Sequence, residues 1–225
     1  MAKASPPRGT FSFVIIGAGR GGTSLLTGLL DAHPQLEVGF ERYAVSHLMD
    51  SSPGALATFM EKCQKEASQS SRIWGNKITT EQLEPALTAN EGAVLKALEP
   101  LRIIFVLRDG RACIASKMNR AGLPFGKARE RWLYSVQVYE LLQAALPQMT
   151  VVKYENLVQA PQATLEKLCA FLDIPFHSQM LRGSANPKLP VEYRRLTIEP
   201  QKAKVQDTYP FPTRDIDAAL RKLGY

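Results

Sequence analysis

The run Val14-Ile15-Ile16-Gly17-Ala18-Gly19-Arg20-Gly21-Gly22-Thr23-Ser24-Leu25-Leu26 carries two phosphate-binding patterns at once. From Gly17 to Ser24 it has the frame G-x-x-x-x-G-K-[ST], with Thr23 in place of the lysine. From Gly17 through Gly19 to Gly22 it also spells G-x-G-x-x-G. Both patterns set a glycine turn before a helix N-terminus, where backbone N–H groups and the helix dipole attract an anion. Three ligands compete for such a turn. A nucleoside triphosphate needs the missing lysine at its outer phosphates, and an acidic residue to hold magnesium. A dinucleotide needs a carboxylate about 20 residues on for a ribose hydroxyl, and Glu37 and Glu41 both stand in range. A nucleotide with an inner phosphate and no terminal phosphate chain needs only the loop N–H groups, the Thr23 and Ser24 hydroxyls and Arg20. An adenylyl sulfate is such a ligand, and it needs no metal.

A ribose 3′-phosphate on that nucleotide would require a second basic site at the end of a neighbouring strand. The segment RIIFVLRDGRACIASKMNR supplies Arg108 at a strand end, Ser116 two helical turns on, and Arg120 one turn further. Ser116 and Arg120 are four apart and share a helix face. Other chemistry finds little support. His33, His47 and His177 have no triad or metal cluster near them in sequence. Cys63, Cys113 and Cys169 lie far apart, with neither disulfide nor zinc-ligand spacing, which suits a reducing, cytoplasmic compartment.

Strands alternating with helices must position these residues. FSFVIIG, LEVGF, the end of RIWGNK, RIIFVL and MTVVKYENL read as strands. Helices are expected after the glycine loop, over 43–49, 54–68, 80–89 and 126–146, after RDG, in TLEKLCAFLDI and over 213–223. Such alternation predicts an α/β fold with a central parallel sheet flanked by helices. Residues 183–212, rich in Pro, Arg and Lys, read as a long loop able to close over a ligand.

The 225 residues form one expected domain, 11–225, behind a polar tail, 1–10. No apolar run approaches the roughly 18 residues of a membrane span, and the start has no apolar signal-peptide core. A formal charge of +7 favours an anionic partner. The basic residues are scattered rather than striped, which argues against nucleic acid.

Three segments in this order resemble the sulfotransferases that use 3′-phosphoadenosine 5′-phosphosulfate (PAPS). They are Arg20-Gly21-Gly22-Thr23-Ser24-Leu25, the Arg108–Ser116 pair, and the Tyr-Glu-Asn-Leu element in KYENLVQAPQATLEKLCAFLDIPF. LLDAHPQLEVGFE, WGNK and R-D-x-R-A-x-x-x-S-x-x-x-R are similar to the tyrosylprotein sulfotransferase branch and its bacterial relatives. Phe40 departs from the branch's paired acids, and NKITT lacks the proline often found after the lysine.

The resemblance implies a P-loop-type three-layer fold and in-line transfer of a sulfuryl group from PAPS to a hydroxyl acceptor, leaving PAP. It implies Glu41 as general base, with Arg20 and Lys77 stabilising the developing charge. Arg20, Gly21, Gly22, Thr23, Ser24, Arg108, Ser116 and Arg120 would hold the nucleotide phosphates, Tyr154 the adenine end, and Ser184 and Lys188 would close over it. The acceptor stays open among tyrosyl, carbohydrate, lipid and small-molecule alcohols or phenols. A non-catalytic nucleotide-binding module is an alternative. An NAD-type oxidoreductase is another, but it leaves Lys77, Arg108 and Ser116 unexplained.

Overall fold

The computed structural model describes residues 7–50, 52–195, 197–203 and 209–225. Five strands, β1 (Phe11–Gly17), β2 (Leu36–Phe40), β3 (Ile73–Lys77), β4 (Arg102–Leu107) and β5 (Met149–Lys153), form one sheet in the order β2-β3-β1-β4-β5. Every pairing is parallel. The strands read as near-continuous apolar runs because both faces are covered. Val14, Ile16, Trp74, Phe105 and Leu107 belong to one core, while Phe13, Ile15, Ile73, Ile104 and Val106 belong to the other.

Helices α2 (Ala55–Ser68), α3 (Thr80–Leu98), α4 (Gly110–Ala121), α5 (Phe125–Ala145) and α8 (Asp217–Lys222) supply the first core, for example Phe59, Leu98, Cys113, Trp132 and Leu220. Helices α1 (Thr23–Asp31), α6 (Tyr154–Gln159) and α7 (Pro161–Phe171) supply Leu26, Leu29, Leu157 and Leu165 to the second. Helix, sheet and helix make three layers, and the order reverses at β1, the strand that ends in the glycine loop. Ligands of such sheets bind beyond the carboxyl ends of the strands at that reversal.

Several elements differ from the sequence expectation for local reasons. Tyr154–Gln159 is helical rather than the end of a strand, because Glu155 turns back to bond the β4 end. Helix α3 runs past 89 to Leu98. Asn90 leaves helical geometry (φ −162°, ψ 91°), and its Oδ1 accepts the Ala93 N–H at 2.9 Å, capping a second helical segment that continues the first. Residues 44–48 form a π-helical turn. In the expected 183–212 loop, Val191–Tyr193 and Pro200–Ala203 are short 3-10 turns, and a longer one spans Ser178–Ala185. Positions 196 and 204–208 lie outside the described residues, as do residues 1–6 of the expected tail. The remainder of that tail is engaged, since the Gly9 N–H donates to the Arg72 carbonyl.

Candidate active site

The glycine loop closes on itself through a hydrogen bond from the Gly21 N–H to the Ala18 carbonyl (2.8 Å) and delivers Gly22 as the N-cap of α1. Gly22 has φ +101°, and a Cβ there would stand 2.3 Å from Tyr154 Cδ2. Glycine is therefore required both by backbone and by contact. Among the described residues no side chain caps α1, so its first N–H groups keep their capacity for an anion. Arg20 adopts the left-handed conformation at φ 70°, a strain found at functional sites when the surroundings enforce it. Its Nε donates to Ser116 Oγ at 3.4 Å, and its Nη1 to the Tyr193 hydroxyl at 3.3 Å.

Beyond β4, Asp109 caps α4 and pairs with Arg111 at 2.5 Å, so it leaves Arg108 free of that carboxylate. The Arg108 guanidinium lies 4.4 Å from the centre of the Tyr154 ring, and its Nη1 donates to the Arg20 carbonyl (3.0 Å). Its Nε is buried and has no hydrogen-bond partner among the described residues, an orphan that an anionic oxygen would satisfy. Burial pushes the Tyr154 phenol up, against the pull of Arg108. Tyr154 thus props the loop and Arg108 together. Glu155 holds this corner from behind, accepting the Asp109 N–H (3.0 Å) and the Tyr225 hydroxyl (2.9 Å).

The ends of β2 and β3 bring Glu41 and Lys77 together. Lys77 Nζ is paired with Glu41 Oε1, and Gln82 Nε2 donates to Glu41 Oε2 at 2.7 Å. The lysine side chain is 3% exposed and the glutamate 27%, so the carboxylate is the member that an incoming group can reach. Burial pulls the Lys77 ammonium below its ordinary range, against Glu41 and Glu81. Nζ also lies 4.4 Å from the centre of the Phe40 ring. Glu41 is placed by a strained turn in which Glu41 and Tyr43 both have positive φ (55° and 61°).

Asn76, fully buried, stitches that turn to β3. Its Oδ1 accepts the Arg42 N–H (3.2 Å) and its Nδ2 donates to the Arg42 carbonyl (2.9 Å). Asn76→Ala strands both backbone groups and is expected to cost about 1–3 kcal/mol. Denaturant titration checks this cost, and an unchanged midpoint would show that the turn holds without Asn76.

These parts line one cleft of ≈ 440 Å³, of the size that takes a small molecule. Arg20, Gly22, Thr23, Ser24, Glu41, Lys77, Arg108, Ser116, Arg120 and Tyr154 all border it. Gly21 shapes the loop behind it. Ser184 and Lys188 do not border the cleft. Ser184 is 1% exposed in a turn whose Gly183 packs on Gly28 of α1, and Lys188 pairs with Asp31 at 3.1 Å. The irregular segment does reach the cleft, but through Tyr193, Arg195, Glu199 and Lys202. Tyr193 lies against Phe40 with ring centres 5.6 Å apart and the ring planes tilted by 40°. Glu37 lies outside the cleft, held by Ser70 Oγ (2.7 Å) and Arg72 (3.1 Å), so it offers nothing to a dinucleotide there.

Among the described residues six cations line the cleft (Arg20, Lys77, Arg108, Arg120, Arg195, Lys202) against two carboxylates, Glu41 and Glu199. That excess suits a multiply charged anion. Among the described residues no cluster of His, Cys, Asp or Glu is arranged to hold a metal ion, and no helix is long and apolar enough to cross a membrane.

A model of the Sulfotransferase family matches residues 53–178, more than half of the chain, and the chain belongs to that family. It is 26% identical over 191 residues to the protein-tyrosine sulfotransferase of Drosophila melanogaster, covering 73% of this chain and 38% of that protein. It is 26% identical over 204 residues to protein-tyrosine sulfotransferase A of Caenorhabditis elegans, covering 76% of this chain and 52% of the relative. The chain therefore spans between about two fifths and one half of the length of these relatives.

The sulfotransferase domain of the Synechococcus PCC 7002 olefin synthase superposes with a TM-score of 0.72 at 19% identity, over 99% of this chain and 98% of that one. A mouse sulfotransferase complexed with PAP superposes at 0.52 and 14% identity, over 97% and 84%. Both share the fold.

Proposed function

We propose that this protein transfers a sulfuryl group from PAPS to a hydroxyl acceptor and releases PAP. The observation that carries the reading is one cleft joining an uncapped helix N-terminus, an Arg108 with an orphaned buried Nε, and a buried Lys77 paired to a reachable Glu41. Two anion sites and an acid–base pair in one cleft fit a nucleotide with a 5′-phosphosulfate and a 3′-phosphate. Family membership and the PAP-complexed neighbour support the same donor.

When bound, PAPS supplies an activated sulfuryl group and a phosphate leaving group. The α1 N-terminus, Thr23 and Ser24 would hold the 5′-phosphate. Arg108, Ser116 and Arg120 would hold the 3′-phosphate and so fix the register of the nucleotide. Arg195 and Lys202 add cations from the covering segment. Glu41 accepts the acceptor's hydroxyl proton during attack, and Arg20 and Lys77 stabilise charge that develops as the bond to the leaving phosphate lengthens. The names of the curated relatives favour a tyrosyl acceptor. Tyr193, whose ring lies tilted against Phe40, borders the same cleft as Glu41 and offers a phenol ring an aromatic neighbour.

Thermal stabilisation by PAP, AMP, ATP and NADH, with wild type and Arg108→Ala, tests the donor. A ligand at a hundred times its Kd stabilises by about 2.7 kcal/mol. PAP is expected to stabilise far more than AMP, and Arg108→Ala to lose that difference. Radiolabelled PAPS with tyrosyl peptides then tests transfer. If NADH or ATP stabilises and PAP does not, the reading fails.

A further inference from the structure

Gly19, the middle glycine of G-x-G-x-x-G, does not offer its N–H to the cleft. That N–H donates to both carboxylate oxygens of Glu81, at 3.2 and 3.0 Å. Glu81 is in turn ion-paired with Lys117 Nζ. The pair packs against the Gly19 Cα, since a Cβ there would stand 3.1 Å from Glu81 Oε1 and 3.3 Å from Lys117 Nζ. The side chains are 15% and 3% exposed. Burial pushes the Glu81 carboxyl up, but Lys117 and the Gly19 N–H outweigh it and hold it below the ordinary carboxylate range. This glycine therefore makes room for a buried ion pair and leaves its N–H to the carboxylate.

The three partners sit on three different parts of the site. Gly19 precedes Arg20 in the loop. Glu81 opens α3, four residues after Lys77. Lys117 follows Ser116 on α4. A buried ion pair is weak evidence of a stabilising role, because its replacement by apolar residues of similar volume often costs nothing. We propose that Glu81 and Lys117 are a positioning pair, which through the Gly19 N–H sets the adjoining Arg20 in register with Lys77 and Ser116. The charged groups acting on Lys77 are then Glu41 from the β2 end, Glu81 from α3 and Arg20 from the loop. This inference rests on the proposed roles of Arg20 and Lys77.

The test compares wild type, Glu81→Gln and the double variant Glu81→Gln/Lys117→Met, which removes both charges together so that the fold is not left with one unpaired. Melting temperature, PAP affinity and the pH–rate profile are read. The double variant is expected to melt near wild type yet bind PAP more weakly by on the order of tenfold, the scale of supporting-shell losses elsewhere. The alkaline limb of the Glu81→Gln rate profile should move to lower pH, because Lys77 has lost the Glu81 charge while Lys117 keeps its own; a purely structural role would leave that limb in place.

Wild-type PAP affinity in the double variant overturns the proposal, and so does an unmoved alkaline limb in Glu81→Gln. The two readings fail separately. A wild-type protein that does not bind PAP refutes the proposed donor. One that binds PAP but transfers nothing refutes only the reaction, and the affinity comparison still decides the pair.

Discussion

Glu41→Gln is expected to lower turnover by on the order of 10² to 10⁴, the range a positioned general base contributes, while PAP still stabilises the variant. The change is nearly isosteric, so the strained turn at Glu41 can persist, tied by the bond from its N–H to the Lys77 carbonyl (2.9 Å). What changes is charge. The wild-type carboxylate accepts from Lys77 Nζ and Gln82 Nε2 through separate oxygens. An amide can accept from one of them only, and its own NH₂ then faces the other donor. The buried lysine loses its nearest counter-charge, and stability should fall by about 1–3 kcal/mol, below the full cost of breaking a buried pair because the carboxylate is partly solvated. Initial rates beside PAP thermal shifts separate the two effects. Turnover within tenfold of wild type would remove Glu41 as base and leave it as a structural partner of Lys77.

The strands were readable because burial on both faces writes them as apolar runs, and Lys77 and Arg108 were readable because each closes such a run. Position at a strand's carboxyl end is the signal, and it requires no knowledge of contacts. The residues contributed by the irregular segment carried no such signal. Tyr193, Arg195 and Lys202 lie where neither a period of two nor of 3.6 orders the chain, and Ser184 and Lys188 were as plausible by type. Packing decided otherwise: Gly183 approaches Gly28 so closely that Ser184 is carried behind α1, and Asp31 draws Lys188 outward.

Glu81 and Lys117 were hidden for a different reason. Each looks like an ordinary polar residue on a helix, and only the approach of α3 and α4 to the loop shows that they are buried. The same contact explains why G-x-G-x-x-G is ambiguous as a motif. Its middle glycine here answers to a carboxylate beneath the loop, so the pattern has a structural reason of its own.

Lys77→Ala is expected to lower turnover by on the order of 10² to 10³, the loss that follows removal of one donor aimed at developing charge. PAP binding should survive, because the proposed phosphate sites lie on α1 and at the β4–α4 corner. The proposed reaction would need Lys77 charged, and burial holds it below the ordinary lysine range. Activity should therefore fall as pH rises through a value below about 10.4, the usual lysine pKa. The linked stability term has the opposite sign. Between the folded and the unfolded pKa of Lys77 the unfolded chain binds more protons, so the lysine's own contribution stabilises the fold as pH rises. A protein that gains stability over the same pH interval in which it loses turnover would point to a single buried cation. Lys77→Arg, charged throughout that interval, should lack the alkaline limb even if its turnover is reduced by the larger guanidinium. Wild-type turnover in Lys77→Ala, or the same limb in Lys77→Arg, would assign both the chemistry and the pH dependence to another group. Combined with Glu41→Gln, the two losses should fall well short of multiplying, since each substitution already disables the one ion pair through which both residues act.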